Sequence, residues 1–518
     1  MALLPVLALI LVAVVDAAEV CHGTPADRLP NILHLVADDM RPQLGAYGHE
    51  YMITPNIDAL AQRSLLFDFA YTQFAYCAPS RNSFMSGRRP DRTRALNFLT
   101  TFREAPGGKN WTAMPQFFKK QGYFTSAAGK VYHDGMDDPP SWSYPSNQTK
   151  WIECQPGDIH DPHFNYCGVT KDSLIQYTDE DLALTEGLKR MELAHQSGKP
   201  WWVSIGVHRP HTPYRVPAGF YGSELYPFDV APPKHRYPPQ NVPYMAGNWA
   251  DGDINDPAHG CPSCVVPDER SVEYRKWYYA AVTWTDHSLG RAIRKLEELG
   301  VENNTIIVFH SDHGYQLGEL NEWSKKTDTE LAVHVPFMVR VPWKQNSIGK
   351  RTKVRAELVD LYRTLADLAG LGDHVEDGVQ GTSLAGAFDD PDAPPHKLQT
   401  KLAYSQIGRC ACALFPKYNV TQCDANACAH VPLPAFDFMG YTMRTGDYRF
   451  TAWVPFDNTT MRVDWNRTAA YELYDLTADT GRDFDFDGFS VNLANNASYA
   501  TLVGNFSQQL QHAVNTWD

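Results

Sequence analysis

Short apolar runs alternate with amphipathic stretches along most of the chain, and this alternation narrows the possible folds more than any other property of the sequence. The apolar runs end in polar or charged groups and lie at 32–37, 123–128, 202–207, 305–309 and 337–341. The stretches between them have helical spacing and lie at 57–64, 114–120, 181–195 and 273–299. Continuous apolar runs are typical of parallel strands that are buried on both faces. We therefore expect an α/β fold, with a large mixed and mostly parallel β-sheet sandwiched by helices.

The length and the change of composition near residues 370–400 predict a second, smaller domain. A chain of 518 residues is too long for one hydrophobic core. Helical spacing gives way there to Gly-, Asp- and Pro-rich sequence, and strand-like segments follow at 441–444, 448–454 and 471–474. We expect a large domain at 26–430 and a small C-terminal α+β domain with an antiparallel sheet at 431–518.

The N-terminus and the glycosylation sequons both predict export. Residues 2–15 are apolar but short for a bilayer crossing, and Asp16-Ala17-Ala18 resembles a cleavage site, so we expect a signal peptide at 1–18. No later stretch has the composition of a membrane span. Candidate N-glycosylation sequons begin at Asn110, Asn147, Asn303, Asn419, Asn458, Asn466, Asn496 and Asn505. We expect a lysosomal or extracellular protein of the secretory pathway.

Most of the 10 cysteines fall into close sets. These sets are Cys154 with Cys167, Cys261 with Cys264, and Cys410 and Cys412 with Cys423 and Cys428. In an oxidising compartment such sets indicate local disulfides, although spacing alone does not determine the pairing. Zinc binding by the Cys261 pair is the alternative, but no second pair follows at ligand spacing. Cys21 and Cys77 remain outside the sets.

The net charge of −14 argues against a nucleic-acid partner, because binding to phosphates requires a basic stripe and no Lys/Arg run occurs. An anionic sugar is not excluded, since a pocket can be positive on an acidic protein.

Polar residues follow several of the predicted strands at the point where each strand ends. Asp38 and Asp39 follow the first strand, Lys130 and His133 the second, His208 the third, and Asp312 and His313 the fourth. Ligands of open α/β sheets bind at the carboxyl ends of the strands. Three carboxylates held together require a cation, and an oxygen-rich, mixed set favours calcium over magnesium. The alternative for each acidic pair alone is a loop or a helix N-cap.

Cys77 lies in the segment Cys77-Ala78-Pro79-Ser80-Arg81, which is followed by Gly87-Arg88. This Cys-x-Pro-Ser-Arg pattern resembles the motif of the sulfatase family, and the resemblance implies an alkaline phosphatase-like fold for the large domain. It also implies oxidation of Cys77 to formylglycine, whose hydrate carries one hydroxyl to attack sulfur and a second to expel the sulfate. A formylglycine-generating enzyme would then act on the chain during its maturation.

The resemblance extends from about residue 31 to about residue 476 and is strongest with the iduronate 2-sulfatase group of that family. It rests on 35–40 (L-V-A-D-D-M), 129–133 (G-K-V-Y-H), 206–213 (G-V-H-R-P-H-T-P), 311–319, 323–336 and 440–453. It implies one Ca²⁺ held by Asp38, Asp39, Asp312, His313 and modified Cys77. It further implies catalytic roles for Arg81, Lys130, His133, His208 and Lys325, with sulfate contacts from Lys130, His208 and Lys325.

The substrate implied by this group is the 2-O-sulfate of non-reducing-end iduronate in the glycosaminoglycans heparan sulfate and dermatan sulfate. Two departures touch the sugar-binding region. Gly318-Glu319-Leu320-Asn321 lacks the usual His-Gly after Gly-Glu, and Tyr315 replaces a Trp that would face the substrate. Another sulfated sugar, or a glycan-binding homologue without activity, is the alternative. A metal phosphatase is a third alternative, but such enzymes use Ser or Thr as nucleophile.

Overall fold

The computed structural model describes residues 28–149, 152–159, 165–170, 178–249, 258–392, 402–410, 428–457 and 459–517. The predicted signal peptide, Asn419, Asn458, Cys21, Cys412 and Cys423 lie outside these residues.

The main sheet has seven strands. They are β1 (Asn31–Ala37), β2 (Leu65–Tyr71), β3 (Phe124–Gly129), β5 (Trp201–Gly206), β7 (Thr305–Ser311), β10 (Phe337–Arg340) and β11 (Lys350–Glu357), in the spatial order β11-β2-β10-β7-β1-β5-β3. Short strand pairs lie outside it: β4 (Tyr166–Val169) with β6 (Tyr214–Pro217), and β8 (Gln316–Leu317) with β9 (Trp323–Ser324). The strands of the main sheet pair in parallel except for β10, which runs antiparallel to both β7 and β2. The predicted mixed, mostly parallel sheet is confirmed.

Helices cover both faces of this sheet. They are α1 (Pro55–Ala61), α2 (Cys77–Ser86), α3 (Pro90–Thr93), α4 (Met114–Lys120), α5 (Asp179–Gln196), α6 (Gly222–Leu225), α7 (Asp268–Glu298), α8 (Glu330–Val333) and α9 (Leu361–Leu368). Successive side chains of a strand point to opposite faces. Ile32 of β1 accordingly packs in the core with α2, α4 and α9, whereas Leu33 packs in the core with α1, α5 and α7.

The C-terminal part of the chain forms a second, antiparallel sheet. Its strands are β12 (Ala403–Cys410), β13 (Phe436–Arg444), β14 (Tyr448–Asp457), β15 (Arg462–Val463) and β16 (Ala470–Asp475). The helix α10 (Ala500–Asn515) buries Val503 and Leu510 in the core of this sheet. The predicted antiparallel C-terminal sheet is confirmed, and its first strand, β12, precedes the predicted domain boundary at residue 430.

Among the described residues, three disulfides join members of the local cysteine sets, and Cys77 is free. The pairs are Cys154–Cys167, Cys261–Cys264 and Cys410–Cys428, so the Cys261 pair is a disulfide rather than half of a zinc site. Among the described residues, no helix has the length and apolarity that a membrane crossing needs.

Candidate active site

Two acidic loops meet at the carboxyl edge of the main sheet because β1 and β7 are neighbours. Asp38 and Asp39 follow β1, and Asp312 follows β7, all fully buried. Asp39 adopts a left-handed backbone with φ of 61°, a conformation that Asp tolerates better than most residues. Its backbone N–H donates to Asp312 Oδ1 at 3.3 Å. The predicted convergence of these strand ends is therefore present.

Cys77 is the first residue of α2 and lies at the centre of this acidic edge. Its side chain is buried, and its Sγ lies 3.3 Å from Asp38 Oδ1, 3.4 Å from His313 Nε2 and 3.5 Å from Lys325 Nζ. Burial, together with the charge of Asp38, raises the pKa of the thiol well above its ordinary value. Cys77 thus stays protonated in this arrangement, which disfavours direct attack by a thiolate.

Arg81 lies one turn after Cys77 and fixes the carboxylates around it. Its Nε is 2.9 Å from Asp312 Oδ2, and its Nη2 is 3.3 Å from Asp38 Oδ1. Its Nη1 donates to the carbonyl oxygens of Lys130 and Val131. Arg81 therefore joins the loops after β1, β3 and β7 in one buried network.

Two lysines also lie at this edge. Lys130 pairs with Asp38, and Lys325 Nζ lies 2.6 and 2.8 Å from the two oxygens of Asp39. Lys130 follows Gly129, which has φ of 71°, and a Cβ at Gly129 would lie 2.0 Å from the Gly206 carbonyl oxygen. Glycine at this position therefore lets the ends of β3 and β5 approach closely enough to aim Lys130 at the acidic edge.

The donor set fits a hard cation. Ligand atoms of Asp38, Cys77, Asp312 and His313 lie within 4.8 Å of one another, as do those of Asp38, Asp39, Cys77 and His211. His313 Nδ1 is 2.9 Å from the Gly314 carbonyl oxygen, so its Nε2 faces the carboxylates. Burial, and after it the charge of Asp38, raises the pKa of Asp312 to about 7, although Arg81 acts to lower it. A divalent cation would relieve this repulsion, and the three carboxylates supply the oxygen ligands that a hard cation prefers.

His208 follows β5 and lies between two carboxylates. Its Nε2 is 3.4 Å from both oxygens of Asp134, and its Nδ1 is 4.0 Å from Asp179 Oδ2. Burial raises the pKa of Asp134, but its hydrogen bond with His208 and the charge of Lys130 outweigh burial and lower that pKa. Asp179 is in turn held by Arg209 at 2.9 and 3.0 Å. Both ring nitrogens of His208 therefore face a carboxylate.

His133 lies against an aromatic stack beside the site. Its ring stacks on Phe98 at a centroid distance of 3.9 Å, and Phe98 stacks on Tyr76 at 4.1 Å. Burial and the charge of Lys130 lower the pKa of His133 to about 3, so this imidazole is neutral in the usual range of pH.

Tyr315 is buried behind the site. Its hydroxyl is hydrogen-bonded with Tyr214 at 3.2 Å and with Tyr274 at 3.1 Å, and its ring stacks on Tyr278. Tyr278 in turn donates its hydroxyl to the Asp39 carbonyl oxygen at 2.9 Å. This position supports the Asp39 loop from behind, and the substrate contact expected for Tyr315 stays a prediction.

Three residues that the structure brings to the site were not predicted from the sequence: His211, Asp134 and Asp179. His211 occurs three residues after His208, and Asp134 directly follows His133, so each lies beside a residue that was identified. Asp179 opens a helix, where an acidic residue is expected for capping alone. Only the packing of that helix against β5 reveals its contact with His208.

Comparisons with known proteins agree with this geometry. A family model described as Sulfatase matches residues 30–371. The iduronate 2-sulfatases of Mus musculus and Homo sapiens are 34% and 33% identical to the chain, with alignments covering 91% of this chain and 93% of each relative. The crystal structure of a phosphonate monoester hydrolase of Agrobacterium radiobacter superposes with a TM-score of 0.71 at 19% identity, covering 94% of this chain and 96% of that one.

The structural likeness supports the fold, whereas the family match and the sequence relatives identify the chemistry. The matched residues include both acidic loops and Cys77. The chain therefore belongs to the sulfatase family and is a sulfuric ester hydrolase.

Proposed function

We propose that the chain removes the 2-O-sulfate of non-reducing-end iduronate from heparan sulfate and dermatan sulfate, using a formylglycine derived from Cys77 and one bound Ca²⁺. A formylglycine-generating enzyme is its maturation partner, and the secretory pathway, with the lysosome or the extracellular space as destination, is its location. No nucleic acid takes part in this function.

The observation that carries the proposal is the position of Cys77. Cys77, the free thiol in the described part of the chain, is buried at the start of α2 and contacts Asp38, His313 and Lys325 at 3.3–3.5 Å. An oxygen nucleophile at this position would face the carboxylate loops on one side and a lysine on the other. The amino end of α2 adds a favourable potential for an anion.

The cationic side chains suit a sulfate ester. Lys130 and Lys325 both reach the acidic edge, where they can bind the sulfate oxygens, and Arg81 orients the carboxylates. Fixed positive groups around an anion whose charge shifts during reaction supply electrostatic stabilisation, which is usually the largest contribution to catalysis. Ca²⁺, when bound by Asp38, Asp39, Asp312 and His313, would add positive charge beside the nucleophile.

His208 is the proposed proton donor to the departing sugar oxygen. The carboxylates of Asp134 and Asp179 lie 3.4 and 4.0 Å from its two ring nitrogens. Neutral His133, whose pKa is lowered by burial and by the charge of Lys130, is the proposed proton acceptor at the nucleophile.

The choice of iduronate rests on the similarity to iduronate 2-sulfatases over nearly the whole chain. Exposure of the sequon asparagines agrees with the proposed route: Asn110, Asn147, Asn303, Asn466, Asn496 and Asn505 are all exposed.

Peptide mass spectrometry across residues 74–81, on protein from a eukaryotic secretory host, tests the nucleophile. We expect the mass of an aldehyde in place of the thiol at Cys77, and no turnover by a folded Cys77→Ser variant. A panel of fluorogenic sulfated sugars then tests the substrate, with the 2-sulfated iduronoside hydrolysed fastest. An unmodified Cys77 in a host that activates other sulfatases would refute the covalent mechanism, and preference for a sulfated glucosamine would refute the iduronate assignment alone.

A further inference from the structure

A cavity of about 450 Å³ lies between α3 and the C-terminal sheet. The residues that line it include Arg92, Arg94 and Arg462, together with the aromatic residues Tyr441, Trp465 and Trp517. This volume is within the range of small-molecule sites. α2 separates the cavity from the active site, since Cys77 is its first residue and α3 follows its last turn. At 1.5 Å per residue, α2 alone spans about 15 Å.

The cavity is positively charged within an acidic protein. Within the described part of the chain, no ion pair involves Arg92, Arg94 or Arg462, and the Nε of Arg92 is buried without a hydrogen-bond partner. Three arginines outnumber the two carboxylates that line the cavity, Asp91 and Asp464. Asp91 accepts hydrogen bonds from Gln406 and Tyr441 at 2.7 and 2.8 Å, and Asp464 accepts one from Arg467 at 2.6 Å.

Aromatic rings lie beside these guanidinium groups. The Tyr441 ring is 5.8 Å from that of Trp465 and 6.1 Å from that of Trp517. Indole rings offer an apolar surface with a polar edge, which suits the C–H face of a pyranose. Guanidinium groups form paired hydrogen bonds with sulfate-like and carboxylate anions. A ligand that satisfies both features is a sugar that carries sulfate or carboxylate groups.

Two neighbouring cavities extend this one into a groove. A cavity of about 500 Å³ shares Arg92 and Trp517 with it, and a cavity of about 420 Å³ shares Arg462 and Asp464. We propose that this groove is a second binding site for a sulfated oligosaccharide, separate from the active site, which holds a distant part of the polymer or another chain. The identity of the ligand class rests on the proposed function.

The test measures the affinity of the full-length Cys77→Ser protein for a heparan sulfate octasaccharide by calorimetry. The variant Arg92→Ala/Arg462→Ala is compared with Lys189→Ala/Lys199→Ala, which removes the same charge from exposed positions on and beyond α5. We expect Kd to rise at least about tenfold for the groove variant only, and an unsulfated octasaccharide of the same backbone to bind much more weakly. Equal Kd values for the two variants would overturn the proposal.

Two further measurements test the location of the groove site and its independence from the active site. With Cys77 intact, the groove variant should hydrolyse a fluorogenic monosaccharide sulfate at the wild-type rate. If the iduronate assignment fails, another monosaccharide sulfate is used as the substrate, and the rates of the variant and the wild type can still be compared. Hydrogen exchange of the wild-type chain should show protection of 460–467 and 511–517 by the octasaccharide. Absence of that protection, or binding that occurs only after Asn466→Gln removes a sequon from the groove wall, would refute the site.

Discussion

Replacement of Asp134 by Asn tests the proposed role of His208 in proton donation. The substitution removes a negative charge 3.4 Å from His208 Nε2 while keeping a side chain of the same shape. At an effective dielectric constant of about 40 for this partly exposed pair, two unit charges at that distance interact by roughly 2 kcal/mol. The Asn dipole and water recover part of this energy, so we expect a net loss of about 1.4 kcal/mol, or one pH unit.

The assay is the pH dependence of kcat/KM with a fluorogenic 2-sulfated iduronoside. Because the protonated imidazole is the active form in this scheme, its loss as pH rises sets the basic limb of the profile. Asp134→Asn should move that limb about one unit toward lower pH. Asp137→Asn is the matched control, because Asp137 is exposed and bonds with Trp142 and Ser146 rather than with His208. Coincident basic limbs for the two variants would refute the role assigned to Asp134.

Three other substitutions have expected outcomes. Gly129→Ala should lower the melting temperature and the activity together. A left-handed backbone costs an alanine about 1–2 kcal/mol, and its Cβ would lie 2.0 Å from the Gly206 carbonyl oxygen. A melting temperature equal to that of the wild type would contradict this expectation. Arg444→Gln should destabilise the chain by about 3–5 kcal/mol at neutral pH, because it leaves Glu330 buried without its cation. Burial raises the pKa of Glu330, but Arg444 outweighs burial and lowers that pKa. The stabilisation from the ion pair is therefore present above the unfolded-state pKa of about 4.3 and is lost as pH falls through the folded-state pKa. Acid titration of the variant should lack that loss of stability. Asp39→Asn should reduce activity and bound calcium in parallel, measured by elemental analysis, and full calcium occupancy would contradict the ligand set.

The sequence predicts the sheet interior well because its central strands are apolar on both faces. It does not reveal β2, where Asp68 interrupts the apolar run, or the edge strand β11, whose K-R-T-K-V-R-A-E sequence is mainly polar. An edge strand has solvent on one side and needs no continuous apolar run. The direction of β10 is also absent from the pattern, because a four-residue buried strand reads the same in either orientation.

The candidate site is predictable where a residue directly follows a strand, as Asp38 and Lys130 do. The assignment of Lys325 rests on family resemblance alone. Lys325 lies in a loop with several left-handed residues, and the conformation of this loop places the side chain beside Asp39. Leu320, Asn321, Ser324 and Lys326 all have positive φ. Such a path depends on tertiary packing and has no signature in local sequence.

The reversed direction of β10 has a consequence for how enzymes of this architecture can diverge. Phe337 pairs with His310, so the chain leaves β7 and re-enters the sheet at the same edge. Residues 312–336 therefore form one connecting segment that begins and ends at the carboxyl edge of the sheet, beside the active site, without crossing to the opposite edge. Insertions or replacements within this segment can reshape the pocket around Asp312 and Lys325 while every strand of the main sheet keeps its neighbours. New substrates can thus be acquired by altering a single contiguous stretch of the gene.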